Sequence, residues 1–188
     1  MLFRSAVTAS DDKTARLWDL QTGRQERVLR LPVGPGDEGR LYAAALSPDG
    51  TVVALGGFTG PGVGTQVIYL LDRASGRLLQ RLPGLPNVVN HLAFSADGRR
   101  LAAALGKGGV QVFERGAGGR WQLLAADALD RQSYSVAFAA DGRLLATTRM
   151  DPSSQAPGEL RLYAPPTGLR LVLLQRRDRK STRLNSSH

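Results

Sequence analysis

Short apolar runs recur along this chain in pairs, and an Asp-Gly dipeptide separates the two members of each pair. Residues 42–46 and 52–55 flank one such dipeptide, and residues 134–138 and 144–148 flank another. Alternation of apolar and polar side chains is typical of half-buried strands. Aspartate and glycine tolerate the positive φ that a tight hairpin turn requires. Each segment is therefore predicted to form two strands joined by a tight turn.

The hairpin signal repeats at a nearly constant spacing. Asp-Gly ends the tetrapeptides at residues 47–50 (SPDG), 95–98 (SADG) and 139–142 (AADG), so the spacing is 48 and then 44 residues. A second turn signal lies between them, at residues 22–23 (TG), 75–76 (SG), 118–119 (GG) and 167–168 (TG). Two hairpins per period give four short strands, and a period of this length predicts a repeat architecture.

Three segments of the chain resemble a known repeat family. Residues 10–19 (SDDKTARLWD) are similar to the end of a tryptophan–aspartate (WD) repeat, and residues 92–98 and 136–142 resemble its first hairpin. The resemblance covers about residues 5–174. It implies an all-β fold, a β-propeller whose four-stranded antiparallel blades surround a central channel. It implies little about activity, because one fold supports many functions.

The repeat also predicts the domain organisation. Residues 1–175 are expected to form a propeller segment, and the first blade lacks its first strand, so about three full blades accompany one partial blade in an incomplete ring. The alternative is a small closed ring in which a terminal strand completes the first blade. The predicted blades are a partial one at 1–33 and full ones at about 40–82, 87–127 and 132–174.

Aligning the third strands gives a column of large residues predicted to pack between blades: Trp18, Leu71, Phe113 and Tyr163. The WD resemblance implies a polar tetrad that includes Ser10, Asp12 and Trp18. The histidine that such a tetrad also needs would precede Met1, so it is not in this sequence. A divergent propeller, stabilised mainly by apolar packing between blades, is therefore expected.

The segment at 176–188 departs from the repeat. It lacks apolar periodicity and is predicted to be disordered. Residues 179–188 resemble a translated sequencing adaptor, so we expect the segment to be non-native; the alternative is a tail that binds nucleic acid or an anionic membrane. It contributes five basic residues and one acidic residue, or +4 of the formal charge of +9. The remaining +5 is spread over the surface, which makes nucleic-acid binding an unfavoured hypothesis.

Composition limits the other functional classes. The sequence has no cysteine, which excludes disulfides. No apolar run reaches the length of about 18 residues that a membrane-spanning helix needs, and the first ten residues are too polar for a secretory signal. We therefore expect a cytoplasmic module without a membrane partner.

Candidate catalytic residues are few. His91 lies within a predicted strand and is expected to be structural, and no His, Asp or Glu spacing suggests zinc. The glycine-rich segment 56–64 contains Pro61 and no Lys-Ser/Thr pair, so it predicts an extended loop rather than a phosphate-binding loop. No cofactor and no catalysis are expected. The alternative is a lactonase-like or quinoprotein-like propeller enzyme that holds a metal or substrate in its channel.

The WD resemblance places the starts of the first strands, and the loops from second to third strands, on one rim of the channel. We call six residues at these starts the strand-start rim, and they are Arg40, Tyr42, Val88, Asn90, Gln132 and Tyr134. Tyrosine and arginine are favoured in protein interfaces, so this rim is the predicted site for a protein or peptide partner. The alternative is that Tyr42 and Tyr134 only pack against neighbouring blades.

The resulting functional hypothesis is a non-catalytic interaction scaffold or sensor. The segments at 57–60, 68–76 and 84–89 also resemble propellers of bacterial proteins that carry a caspase-like peptidase domain. That resemblance implies that this chain is part of a larger bacterial regulatory protein, with an effector domain outside it.

Overall fold

The computed structural model of the protein describes residues 4–32, 34, 36–62, 64–127, 132–149, 158–164 and 173–178. These residues form fifteen β-strands and no helix. All strand pairs are antiparallel, and the strands of each sheet follow one another in chain order. The predicted all-β class is confirmed.

The strands form four sheets, one of three strands and three of four strands. Sheet 1 contains β1 (Ser5–Ala9), β2 (Thr14–Asp19) and β3 (Gln25–Arg30). Sheet 2 contains β4 (Arg40–Leu46), β5 (Val52–Phe58), β6 (Gln66–Asp72) and β7 (Leu78–Leu85). Sheet 3 contains β8 (Val89–Phe94), β9 (Arg100–Leu105), β10 (Val110–Arg115) and β11 (Trp121–Asp127). Sheet 4 contains β12 (Gln132–Phe138), β13 (Leu144–Arg149), β14 (Glu159–Tyr163) and β15 (Leu173–Asp178).

The Asp-Gly dipeptides form the turns between first and second strands. Gly50, Gly98 and Gly142 have φ of 72°, 68° and 81°, which residues with a side chain rarely adopt. In the first of these turns, the Ser47 hydroxyl donates to Asp49 Oδ1 at 2.5 Å, and the same oxygen accepts the Thr51 amide at 3.0 Å. These bonds, that of Ser47 first, hold the pKa of Asp49 below its usual range. The predicted hairpins are confirmed.

Asp19 of the WD dipeptide and its equivalent Asp72 cap the turns between third and fourth strands. Asp19 Oδ1 accepts the Gln21 amide at 2.7 Å, and Asp72 Oδ1 accepts the Ser75 amide at 2.7 Å. Hydrogen bonding lowers the pKa of both carboxyls, chiefly through Gln21 for Asp19 and through the Ser75 hydroxyl for Asp72. The aspartate therefore fixes the hairpin between third and fourth strands.

An apolar layer fills the space between each pair of neighbouring sheets. β9 shows how one strand serves two layers: Leu101, Ala103 and Leu105 face sheet 2, whereas Ala102 and Ala104 face sheet 4. All five side chains are buried. Since side chains alternate across a strand, a run of consecutive apolar residues is what a sheet covered on both faces requires.

The first strands of the sheets lie together, as the propeller prediction requires. β4 contacts β8, and β8 contacts β12, so these strands form the inner edge of the array. β8 approaches β5 so closely that a Cβ on Gly56 would lie 2.8 Å from Cβ of Val89. The four sheets form an open array in the described residues.

Sheet 1 corresponds to the last three strands of the other sheets. In each sheet, the pairing of the third strand with the fourth shifts register at one point, directly after Leu17, Leu70, Val112 or Leu162. The next residue at each shift belongs to the predicted column of large side chains. Its shared place in the ladder shows that β2 is equivalent to β6, β10 and β14.

Trp18 differs from the rest of its column. Leu71, Phe113 and Tyr163 are buried, and each faces the preceding sheet. Trp18 is only half-buried, because no described sheet lies against the corresponding face of sheet 1. The other tryptophan, Trp121, is 6% exposed and packs edge-to-face on Phe94.

The strands extend past the predicted boundaries in two places. β7 continues to Leu85, whereas its blade is predicted to end at about residue 82. β15 continues to Asp178, whereas the sequence predicts a disordered tail from residue 176 onward. The β15 ladder continues because β14 offers partners, with Arg161, Leu160 and Glu159 opposite residues 176–178. The rest of that tail lies outside the described residues, as does the predicted turn at 167–168.

Candidate interaction rim

The first strands of sheets 2, 3 and 4 share a β-bulge near their beginning. The ladder shifts between Leu41 and Ala43, between Val89 and His91, and between Ser133 and Ser135. The residues inside the three shifts are Tyr42, Asn90 and Tyr134. A bulge leaves one residue outside the regular pairing and redirects its side chain. Three members of the strand-start rim therefore occupy one structural position in neighbouring sheets.

The bulged side chains differ in exposure. Tyr42 is 44% exposed and Tyr134 is 45% exposed. Tyr134 donates its hydroxyl to Gln132 Oε1 at 2.7 Å. Asn90 is half-buried and donates Nδ2 to the Ser133 carbonyl at 2.9 Å, which ties β8 to β12. The rim thus combines two exposed rings with an amide that is already anchored.

The other members of the rim are partly buried. Arg40 forms an ion pair with Asp37 at 2.8 Å. Val88 is half-buried, and its carbonyl accepts the Gly106 amide at 2.8 Å. The Gly106 bond ties Val88 to the end of β9, whereas the exposed Arg40–Asp37 pair is local to the start of β4.

A buried layer supports the rim from below. The residue before each bulge points inward, and these residues are Leu41, Val89 and Ser133. Ser133 has no exposed surface, and its hydroxyl has no hydrogen-bond partner in the part of the chain that the structure describes. A buried polar group without a partner is destabilising.

The glycine-rich loop after β5 is organised by the buried amide of Gln66. Its Oε1 accepts the amides of Thr59 at 2.6 Å and Gly60 at 3.1 Å. Its Nε2 donates to the carbonyls of Gly60 at 3.2 Å and Gly62 at 2.9 Å. The amides of Thr59 and Gly60, which a phosphate-binding loop would present to its ligand, are therefore occupied. Residues 59–62 thus form a hydrogen-bonded loop, whereas residues 56–58 of the predicted loop belong to β5 and Val63 lies outside the described residues.

His91 lies directly after the Asn90 bulge. It is half-buried, and its Nδ1 accepts the Val136 amide at 3.4 Å. Burial lowers the pKa of the imidazole, since a desolvated ring disfavours the charged form. This contact joins β8 to β12, which supports the structural role predicted for the histidine.

The contacts of Ser10, Asp12 and Trp18 differ from the tetrad that the WD resemblance implied. Trp18 donates Nε1 to the Thr8 hydroxyl at 3.0 Å rather than to Ser10. Asp12 instead accepts from Thr14 Oγ1 and from Arg16, both at 2.6 Å. The Thr14 bond, followed by the Arg16 bond, holds the pKa of Asp12 far below its usual range. Ser10 and Asp12 therefore stabilise the turn into β2.

Polar contacts near the outer edges join the sheets, and no sequence pattern predicts them. Gln80 on β7 donates Nε2 to the Trp121 carbonyl at 2.7 Å and accepts the Trp121 amide at 2.8 Å. Between sheets 3 and 4, Asp127 accepts Tyr163 at 2.7 Å and Arg161 at 3.1 Å. Burial first, and then the Asp127 contact, raises the pKa of Tyr163 well above its usual range.

Two further features bear on the functional classes. No group of three or more His, Cys, Asp or Glu side chains in the described residues is arranged to hold a metal ion. Within the same residues, no helix is long and apolar enough to cross a membrane.

Comparison with curated proteins identifies relatives over most of the chain. The chain is 30% identical over 146 residues to the WD repeat-containing protein SL1-17 of Schistosoma mansoni, covering 78% of this chain and 44% of that protein. Its relatives are WD-repeat proteins. It is 28% identical over 159 residues to the Protein LST8 homolog of Drosophila melanogaster, covering 77% of this chain and 44% of that protein. It is 26% identical over 146 residues to a guanine nucleotide-binding protein subunit beta of Zea mays, covering 74% of this chain and 37% of that protein.

The chain spans less than half the length of each of these WD-repeat relatives. No family model matches it. Among solved structures, it is similar to the crystal structure of the computationally designed Ika8 protein, with a TM-score of 0.66 and 22% identity. That match covers 95% of this chain and 47% of the designed one, and it supports the fold alone.

Proposed function

We propose that this chain is a non-catalytic protein-binding module whose contact surface is the strand-start rim. The observation that carries the proposal is the shared bulge, which displaces Tyr42, Asn90 and Tyr134 from the ladder at one end of three neighbouring first strands. Regular strands would pair these residues. The exposure of two of the three bulged side chains, Tyr42 and Tyr134, supports a role in contacting a partner.

The chemistry of the rim suits a protein or peptide partner. Tyrosine gives a large contact area at a low cost in conformational entropy, and amides adapt to varied hydrogen-bonding groups. Both Tyr42 and Tyr134 keep almost half of their surface exposed, which favours contact with a partner over packing between sheets. The contacts of Asn90 and Gln132 hold the surface in place before binding, and this reduces the ordering cost of association.

The relatives support a protein partner. The maize relative is, by its name, a subunit, and a subunit works within an assembly.

The proposal extends to a cytoplasmic regulatory protein of bacteria in which a caspase-like or other effector domain adjoins this module. That extension rests on the sequence resemblance at 57–60, 68–76 and 84–89, since the relatives named above come from animals and a plant. Sequencing the gene around this reading frame tests it.

The rim is tested by affinity capture from the native host with quantitative mass spectrometry. Tyr42→Ala, Arg40→Ala and Tyr134→Ala proteins are compared with the wild type, and Leu20→Ala is the matched control. Leu20 is 54% exposed and lies in the turn after β2, away from the strand starts. We expect recovery of a specific partner to fall about tenfold in at least one rim variant and to be unchanged in the control.

Melting temperatures of all variants are measured first, so that loss of binding is separated from loss of folding. The captured partner is then titrated against purified wild-type and variant proteins. Wild-type affinity in all three correctly folded rim variants would exclude this surface as the binding site.

A further inference from the structure

Sheets 1 and 2 are joined near the Asp-Gly turn of sheet 2 by one arginine. Arg73 follows β6, and its Nη2 donates to Glu26 Oε2 at 2.6 Å and to the Ser5 hydroxyl at 2.7 Å. Both partners belong to sheet 1. A carboxylate of the preceding sheet therefore neutralises the guanidinium of Arg73.

Arg115 is the equivalent residue of sheet 3. Each arginine lies two positions after a residue of the third-strand column, Leu71 or Phe113. The amide of Arg73 donates to the Thr51 carbonyl at 2.8 Å, and that of Arg115 donates to the Arg99 carbonyl at 2.9 Å. The two backbones therefore occupy the same place in successive repeats.

The partners of the two arginines are not equivalent in chemistry. Glu26 is the bulged residue of β3, and Leu79 is the bulged residue of β7. Ser5 pairs with Asp19, and Val52 pairs with Asp72, so Val52 takes the place of Ser5. By repeat equivalence, sheet 2 therefore carries Val52 and Leu79 where sheet 1 carries Ser5 and Glu26. Among the described residues, no ion pair of Arg115 is formed within 4.0 Å.

Arg115 lines a groove of about 330 Å³ between sheets 2 and 3, together with Asp49, Asp97 and Arg99. Arg99 and Arg115 are both exposed. The two carboxylates already bind donors of their own turns: Asp49 accepts from Ser47 and Thr51, and Asp97 accepts from the Ser95 hydroxyl and the Arg99 amide. The side chains of Arg115 and Arg99 act on these carboxylates only through their charge, which adds to the hydrogen bonds in lowering the pKa of Asp49 and Asp97, respectively. The donors of both guanidinium groups therefore remain for a ligand.

We infer that this groove binds a carboxylate side chain of a partner peptide. The carboxylate would take the place beside Arg115 that Glu26 holds beside Arg73, and Arg99 would add a second positive charge. A neighbouring apolar side chain of the peptide would pack on Leu79, which is 47% exposed. The site lies at the opposite end of the first strands from the strand-start rim, so it is a second and independent surface.

The probe is a fluorescein-labelled peptide, Gly-Leu-Glu-Leu-Glu-Gly, measured by anisotropy at low ionic strength. Its matched control carries Gln in place of both Glu residues. We expect the wild-type chain to bind the Glu peptide about tenfold more tightly, because a hydrogen bond to a charged group is stronger than one to a neutral amide. Arg115→Gln should remove that preference. Arg73→Gln should retain it, because Arg73 already has its carboxylate.

A second substitution tests the equivalence of the repeats without a peptide. Leu79→Glu places a carboxylate at the bulge position that Glu26 holds in sheet 1. The Leu79→Glu protein should melt at a higher temperature than the Leu79→Gln protein, and the difference should disappear when Arg115→Gln is also present. Leu79→Glu should also weaken binding of the Glu peptide about tenfold. Equal affinity for the two peptides, or equal loss of binding in Arg73→Gln and Arg115→Gln, would overturn the inference. So would a Leu79→Glu protein that gains no stability through Arg115.

Discussion

Ser133 places a hydroxyl in the buried position that Leu41 and Val89 hold in the neighbouring sheets. The hydroxyl has no partner in the described residues, whereas the Ser133 carbonyl accepts from Asn90. The backbone of this residue therefore supports the rim, and its side chain has an energetic cost. Burying a hydroxyl without a hydrogen bond costs about 1–3 kcal/mol.

Ser133→Ala is accordingly expected to stabilise the protein. It removes the unpaired hydroxyl and leaves the backbone contact intact, so the free energy of unfolding should rise by about 1 kcal/mol in urea denaturation. Ser95→Ala is the control, because the Ser95 hydroxyl donates to Asp97 and accepts the Arg100 amide. That variant should be less stable than the wild type. Destabilisation by Ser133→Ala would show that the hydroxyl does have a partner.

His91 is expected to make stability depend on pH. Its pKa is lowered by burial from the usual 6.5, so the unfolded chain binds a proton at a higher pH than the folded chain does. The contribution of the neutral His91 ring to the free energy of unfolding is therefore fully present above about pH 6.5. It is lost as the pH falls from there through the lowered pKa. His91→Gln should lose this dependence. Thermal melts of both proteins between pH 7.5 and 5 measure it, and parallel curves would contradict the assignment.

At the level of the elements, the third strand of every repeat carries one large side chain directly after the same register shift. The side chain is buried only where a preceding sheet covers it, as with Phe113 and Tyr163. Trp18 keeps its bond to Thr8 but is half-buried. The same position in the repeat therefore has different energetic weight in different sheets.

Trp18→Ala should cost less than the equivalent substitution in sheet 3. Phe113→Ala empties a buried site and is expected to lower the free energy of unfolding by about 3–5 kcal/mol. Trp18→Ala removes one hydrogen bond and part of an apolar surface, so we expect about 1–2 kcal/mol. Urea denaturation followed by circular dichroism compares the two. Equal costs would mean that another surface covers Trp18 in solution.

At the level of the whole molecule, each sheet contacts its sequence neighbours. Sheets 2 and 3 are covered on both faces, whereas sheets 1 and 4 are covered on one face in the described residues. Stability in such arrays depends on the contacts between neighbouring units. The central sheets should therefore open least often.

Hydrogen exchange measured by mass spectrometry tests this order. Amides of β5 and β9 should exchange most slowly, and those of β1 and β3 should exchange at least about tenfold faster, because sheets with fewer contacts open locally at lower cost. Peptides that cover β13 should fall with the faster group. Uniform protection across all four sheets would indicate a single cooperative unit, or cover on the outer faces.

Much of the fold could be predicted because its signals are local. The turns depend on the φ of Gly50 and its equivalents, and the strands depend on alternation within a few residues. The bulge column of Tyr42, Asn90 and Tyr134 also follows from aligning the repeats, although the bulge itself does not. The Gln80 contact with Trp121 could not be predicted, because a glutamine in a strand has the same local pattern whether it meets solvent or another sheet.

The amino-acid sequence by itself determined the repeat, the turns and the side chains that each repeat presents at equivalent positions. Tertiary structure decided what those side chains meet. Arg73 and Arg115 are equivalent in sequence and both line a groove between sheets. Within the described residues, however, only Arg73 forms an ion pair, with Glu26. The difference arises because the partner of each arginine comes from the preceding sheet, roughly one repeat away along the chain. Only the stacking of the sheets brings those residues together.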